Sequence, residues 1–201
     1  MCRLLEATDE NISEAAKIIL KGRIIAYPTD TVYGLGCDPF NLAAVERILR
    51  VKGGRTKPLP ILAYDVGNAE RIAFFSRMEK KLAERFWPGP LTIVLRRRKI
   101  LPAEVSLGLG TVGVRVPNHR VAAELIRLSG GLLVGTSANL GGRSSPIKAK
   151  EVVDQLGSQV DLVLDGGETS LKKGSTVVRV LGGEIRVLRP GPIGESELTS
   201  L

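Results

Sequence analysis

Short apolar runs alternate with stretches of helical spacing along almost the whole chain, and that alternation restricts the fold more than any other feature. Arg23–Tyr27, Pro60–Tyr64, Leu91–Leu95, Val112–Val116, Leu132–Val134 and Asp161–Leu164 read as strands. Between them lie amphipathic patterns with start signals. Thr8 or Asp9 precedes Ile12, Ala15, Ala16, Ile19 and Leu20, with Gly22 as the stop. Asn41 precedes Leu42, Val45, Ile48 and Leu49, and Ser76 precedes Met78–Phe86. Asn118 opens a stripe of Val121, Ala122, Leu125, Ile126 and Leu128, and Pro146 opens one through Val152, Val153 and Leu156. Strands interleaved with helices require an α/β layered domain. Two closing strands, Thr176–Val180 and Glu184–Leu188, are joined at Gly182-Gly183 as a hairpin, so the sheet is mixed and not all parallel. The expectation is one domain over residues 1–201, with a core at about 8–192 and a short tail at 193–201.

The loops at the strand ends hold the polar chemistry. Ile24-Ile25-Ala26 runs into Tyr27-Pro28-Thr29-Asp30-Thr31-Val32-Tyr33-Gly34-Leu35-Gly36, where Pro28 stops the ladder and two threonine hydroxyls and a carboxylate follow. Arg115 ends one strand, and Gly135-Thr136-Ser137-Ala138-Asn139 follows another. Ser144 and Ser145 precede an expected helix start, a place that favours an anion. Lys52-Gly53-Gly54-Arg55-Thr56-Lys57-Pro58 is a basic loop; Gly174-Ser175-Thr176 opens one late strand and Arg189-Pro190-Gly191-Pro192 ends another. Hydroxyls, glycines and permanent cations gathered at one end of a sheet suit phosphates and a carboxylate, which arginine grips in bidentate fashion.

Composition removes several classes. No apolar run approaches the ~20 residues of a membrane helix. Met1–Glu6 has no apolar core of a signal peptide, and only Cys2 and Cys37 are present, so a reducing, cytoplasmic setting is expected. One histidine and two cysteines without ligand spacing argue against a protein-held metal. There is no Gly-x-x-x-x-Gly-Lys-Ser/Thr loop, and Gly108-Leu109-Gly110 lacks the third glycine of a dinucleotide fingerprint. His119 reads as part of a helix start, which leaves no Ser-His-Asp set. The formal charge of +8 favours anionic partners, and Arg96–Lys99 is either a solvated strand end or a contact for RNA. An RNA-binding module without catalysis is one alternative, weakened by an aromatic content of 4% that is thin for base stacking. A regulatory nucleotide-binding protein without turnover is another.

Taken together, Tyr27–Gly36, Lys52–Leu59, Trp87–Leu95, Thr111–Pro117, Thr136–Asn139, Asp165-Gly166-Gly167, Ser175-Thr176-Val177 and Leu188–Pro192 resemble the YrdC-like threonylcarbamoyl-AMP synthase family in order and spacing. The resemblance covers nearly the whole chain and is to the short, single-domain form. It implies a mixed, twisted sheet flanked by helices around a concave basic cavity. It also implies synthesis of threonylcarbamoyl-AMP and pyrophosphate from L-threonine, bicarbonate and ATP, the first step of a tRNA modification that a further complex completes. By motif, Thr31, Arg115, Gly135 and Ser175 would hold threonine, with Arg115 on its carboxylate. Lys52 and Arg55 would act on the departing pyrophosphate, and Arg55, Lys57, Thr111, Ser137, Ser145 and Arg189 would hold ATP, with Mg²⁺ carried by the nucleotide. Direct tRNA binding is compatible with the resemblance. In this chain the arginine of the basic loop stands one place further from Lys52 than in the family pattern, in a loop one residue shorter.

Overall fold

The computed structural model describes residues 2–54 and 57–199. In chain order, β1 (Arg3–Glu6), α1 (Asp9–Leu20), β2 (Ile25–Tyr27), β3 (Gly34–Gly36), α2 (Leu42–Val51), β4 (Ile61–Ala63), α3 (Val66–Ile72) and β5 (Ala73–Phe74) form the first part. Next come α4 (Arg77–Phe86), β6 (Leu91–Arg97), β7 (Thr111–Arg115), α5 (Arg120–Leu128), β8 (Leu132–Val134) and β9 (Thr136–Ser137). The chain then runs through α6 (Ala149–Leu156), β10 (Leu162–Asp165), β11 (Thr176–Leu181), β12 (Glu184–Arg189) and α7 (Glu195–Thr199). One sheet has the order β1-β10-β2-β3-β9, and the other β12-β11-β6-β7-β4-β8 with β5 on β6. Parallel pairs (β1–β10, β2–β10, β4–β7, β6–β11) and antiparallel pairs coexist in both, so the fold is mixed α/β.

Helix starts follow their caps. The Thr8 side chain accepts from Asn11 N–H and that of Asn41 from Ala44 N–H, while Ser76 and Glu79 form a reciprocal capping box. Gly22, Gly182 and Gly183 sit at positive φ, which ends α1 and lets the β11–β12 turn close. Two expected starts fall later. α5 begins at Arg120 with His119 in the cap position and no side-chain cap bond. α6 begins at Ala149, because the Pro146 carbonyl is taken by Tyr33 N–H and Ile147 N–H donates to the Glu151 carboxylate.

The core forms two bodies. α1 and α5 lay Ile12, Ile19, Leu125 and Ile126 against Ile25, Leu133 and Leu162. A larger cluster joins Val45, Ile48, Leu82 and Val152 to strand residues of both sheets, such as Leu35, Ile61, Ile93 and Val163. β8 passes into β9 across Gly135 and so carries the chain from one sheet to the other. The two sheets meet at this crossing, and the candidate site lies beside it.

Candidate active site

Tyr27–Gly36 is a tight hairpin. β2 and β3 pair antiparallel, with Tyr27 opposite Gly34 and Ile25 opposite Gly36. Both glycines lie against the Tyr27 ring. A Cβ on Gly36 would stand 2.6 Å from the Val134 carbonyl oxygen and 2.8 Å from Tyr27 Cε1, so no larger residue fits. The turn between them is buried, and its two threonines are paired locally: Thr29 Oγ1 donates to Val32 O (2.7 Å), accepts from Thr31 N–H (3.1 Å) and lies 2.9 Å from Thr31 Oγ1.

This turn closes one side of a cavity of about 500 Å³. The floor is one pleated face of the second sheet. Thr92 and Val94 of β6, Thr111, Gly113 and Arg115 of β7, Val177 and Arg179 of β11, and Pro60 and Leu62 at β4 all line it. Alternation with period two puts each set on the same side, and the register brings Val94 opposite Gly113. The far wall comes from Gly135, Thr136, Ser137 and Ser145. Lys57, Arg115, Arg179 and Arg189 line the cavity, and no carboxylate does among the described residues.

At the inner end Arg115 is only 4% exposed, and its Nη1 donates to Thr31 Oγ1 at 3.0 Å. Behind it stands the Asp30 carboxylate, 3.4 Å from Nη2 and equally buried; neither Asp30 oxygen receives a hydrogen bond from the described residues. Burial pulls the Arg115 guanidinium below its ordinary value, and Asp30 pulls it back; it stays charged at neutral pH. Ser175 Oγ lies 2.7 Å from Thr92 Oγ1 and accepts from Arg189 Nη2 at 3.0 Å, while Arg189 also donates twice to the Ser175 carbonyl. Gly135 is held by its N–H on Pro60 O, and a Cβ there would come within 2.3 Å of Leu62 Cγ. A cationic fork beside two hydroxyls is chemistry suited to accepting a carboxylate.

At the other end Lys57, Thr111, Ser137 and Ser145 line the wall. Ser145 stands four residues ahead of α6 and not at its first turn, so its place owes nothing to the helix terminus expected there. Lys52, expected to face phosphates, is not a lining residue. Its side chain is buried at the end of α2, where Nζ donates to Ser137 O (2.8 Å), Asn139 O (2.5 Å) and Asn139 Oδ1 (2.9 Å). Asn139 in turn accepts from Ser137 Oγ and donates to Leu140 O and Arg143 O. Lys52 therefore pins the loop that presents Ser137. Arg55 lies outside the described residues.

A model of the Sua5/YciO/YrdC domain, described as telomere recombination, matches residues 17–191. The chain belongs to the Sua5/YciO/YrdC family. It is 37% identical over 194 residues to a threonylcarbamoyl-AMP synthase of Pyrococcus abyssi, covering 92% of this chain and 55% of that protein. A putative threonylcarbamoyl-AMP synthase of Mycobacterium tuberculosis is 36% identical over 202 residues, covering 100% of this chain and 93% of the relative. The crystal structure of P. abyssi Sua5 complexed with L-threonine superposes with a TM-score of 0.93 at 36% identity, over 100% of this chain and 60% of that one. The chain thus spans little more than half of the longer family members and nearly all of the short one.

Within this family member, sequence reasoning did not single out Thr92 or Arg179, although both stand on the alternating face of strands it did read. It also missed the burial of Asp30 beneath Arg115, since nothing in Thr-Asp-Thr tells an inward carboxylate from a solvated one. Asp30 bears on a further group. His119 is half-buried, its Nδ1 has no partner among the described residues, and burial lowers its ionisation below the usual 6.5 while Asp30 pulls it up. With the folded value depressed, the unfolded chain binds its proton first as pH falls. Stability is therefore expected to decline from about pH 6.5 downward, and His119→Gln should flatten that part of a urea-midpoint profile between pH 7 and 5.5. An unchanged slope would remove His119 from the account.

Proposed function

We propose that this chain is an L-threonylcarbamoyladenylate synthase, a nucleotidyltransferase that joins L-threonine, bicarbonate and ATP and releases pyrophosphate. The observation that carries the reading is one cavity with two chemically distinct ends: the Arg115–Thr31–Ser175 receptor and the wall of Lys57, Thr111, Ser137 and Ser145. The relatives' printed names and the threonine complex of P. abyssi Sua5 support it.

In this reading Arg115 grips the amino acid's carboxylate, Thr31 and Ser175 frame its side, and Gly135 completes the pocket. The amine takes up bicarbonate or CO₂ to give an N-carboxy-threonine with loss of water or a proton. One oxygen of the new carboxylate attacks the α-phosphorus of ATP, and the bond to the bridging oxygen breaks, so pyrophosphate leaves with the electron pair. No side chain acts as a nucleophile; the protein positions the reactants and stabilises charge. Lys57, with Arg55 from the same loop, offsets the charge growing on pyrophosphate, while Thr111, Ser137, Ser145 and Arg189 hold the nucleotide. Lys52 serves by fixing the Ser137–Asn139 loop. Among the described residues the cavity wall offers no carboxylate for a metal, so Mg²⁺ would enter bound to the phosphates and not to the protein. The product would pass to a tRNA-modifying complex in the cytoplasm; no helix is long and apolar enough to cross a membrane among the described residues.

The test is pyrophosphate release in the presence of ATP and bicarbonate. Release should require threonine. Release without it would point to another adenylating reaction, and none at all to a binding protein.

A further inference from the structure

Arg179 is the cavity-lining cation that the reading above leaves without work. It follows Val177 by two residues on β11 and so shares its face. One place past the Val178–Ile93 pair, it lies beside Val94 of β6; across β12 it stands directly opposite Arg186. Like charges opposite one another on an antiparallel pair destabilise it. Arg186 approaches Glu184 only at 4.0 Å and is exposed, and no ion pair or hydrogen bond engages Arg179 among the described residues. The inner arginines each have contacts of their own, Arg115 with Thr31 and Asp30 and Arg189 with Ser175, and each already has a role in the reading above. A chain that keeps two adjacent guanidiniums, one of them turned into a cavity and unpaired, has reason to do so if an acceptor arrives there.

The surroundings indicate what kind of acceptor. From Arg179 the floor continues through Val94, Gly113 and Pro60, an apolar and partly bare row, since Val94 pairs with Gly113 and Pro60 precedes the Ile61–Val114 pair. A Cβ on Gly113 would meet Thr92 Cγ2 at 3.1 Å and would raise this floor. Leu109 and Leu188, 51% and 56% exposed, also line the cavity. Lys57 belongs to the β4 side, three strands away, and a spacing of ~4.8 Å per strand makes that separation roughly 14 Å. In an in-line displacement the pyrophosphate leaves opposite the attacking oxygen, so the nucleoside departs from the α-phosphorus in a third direction. With threonine at Arg115 and the phosphates toward Lys57, that direction leads to β11.

We propose that Arg179 binds the nucleoside half of ATP, donating to ring nitrogens of the base as it lies on the Val94–Gly113 floor. A guanidinium offers donors only and suits a ring edge that accepts. The proposal rests on the nucleotide reading given above, and its test separates the two. Threonine-dependent pyrophosphate release is followed for wild type, Arg179→Gln and Arg179→Lys, with thermal melting as the check on folding. Both substitutions should raise the KM for ATP about tenfold, with kcat, the KM for threonine and inhibition by tripolyphosphate within about twofold of wild type. Full rescue by lysine, an equal weakening of tripolyphosphate, or an unchanged KM for ATP would each overturn it. If the wild type releases no pyrophosphate, the synthase reading fails. Calorimetric titration with AMP then decides the role of Arg179: about tenfold weaker binding by Arg179→Gln supports it, and equal binding, or none by the wild type, overturns it.

Discussion

Arg115→Ala is expected to raise the KM for threonine roughly a hundredfold while the KM for ATP moves by less than about threefold. Charge-assisted hydrogen bonds contribute about 1.5–3 kcal/mol each, and in the proposed reading the arginine would offer a planar fork to the substrate's carboxylate. The same substitution strands Asp30. Its carboxylate is buried with Arg115 at 3.4 Å as its ion-pair partner, and removing one member of a buried pair costs about 3–5 kcal/mol. The double variant Asp30→Asn/Arg115→Ala separates the two effects. It should recover most of the urea midpoint lost in the single variant and none of the threonine affinity. Equal loss of threonine and ATP affinity in the single variant would take Arg115 away from the amino-acid end.

Lys52→Met has the second largest expected effect, and it falls on stability first. The substitution keeps the aliphatic stem and deletes the ammonium, leaving Ser137 O, Asn139 O and Asn139 Oδ1 without that donor in a buried place. A loss of about 3 kcal/mol is expected, which for a chain of this size lowers the melting temperature by about 6–12 °C. The loop bearing Ser137 loosens with it, so the KM for ATP should rise while that for threonine holds. A Lys52→Met protein that melts like wild type and loses only kcat would return the ammonium to the phosphates, the role the motif alone suggested.

Lys52 also shows where sequence reasoning reaches its limit. The motif implies that it faces phosphates, but a lysine at a helix terminus reads the same whether its stem turns toward a cavity or under a loop. Its partners lie 85 and 87 residues away, a separation no local pattern encodes. Strands with apolar runs were legible because their burial imposes composition: Leu91–Arg97 and Leu132–Val134 need no partner to be recognised. Gly34–Gly36 and Thr136–Ser137 were not, since the first is glycine-rich, the second is two residues long, and each is held only by its pairing, Gly34 with Tyr27 on one side and Ser137 on the other. β1 was passed over for a similar reason: it is four residues long, mostly exposed, and fixed by parallel pairing to a strand 159 residues later in the chain. Thr31, Arg115, Gly135 and Ser175 come together at the cavity's inner end because the turn after β2, the end of β7, the β8–β9 crossing and the start of β11 converge there. The sequence named the residues; pairing of distant strands supplies the convergence.

The most direct measurement is mass spectrometry of the small molecules formed when the protein is incubated with L-threonine, ATP, Mg²⁺ and ¹³C-bicarbonate. An adduct of threonine and AMP that carries one labelled carbon is expected, formed by wild type and lost with Arg115→Ala. An adduct without the label, or a labelled one formed equally well by Arg115→Ala, would contradict it.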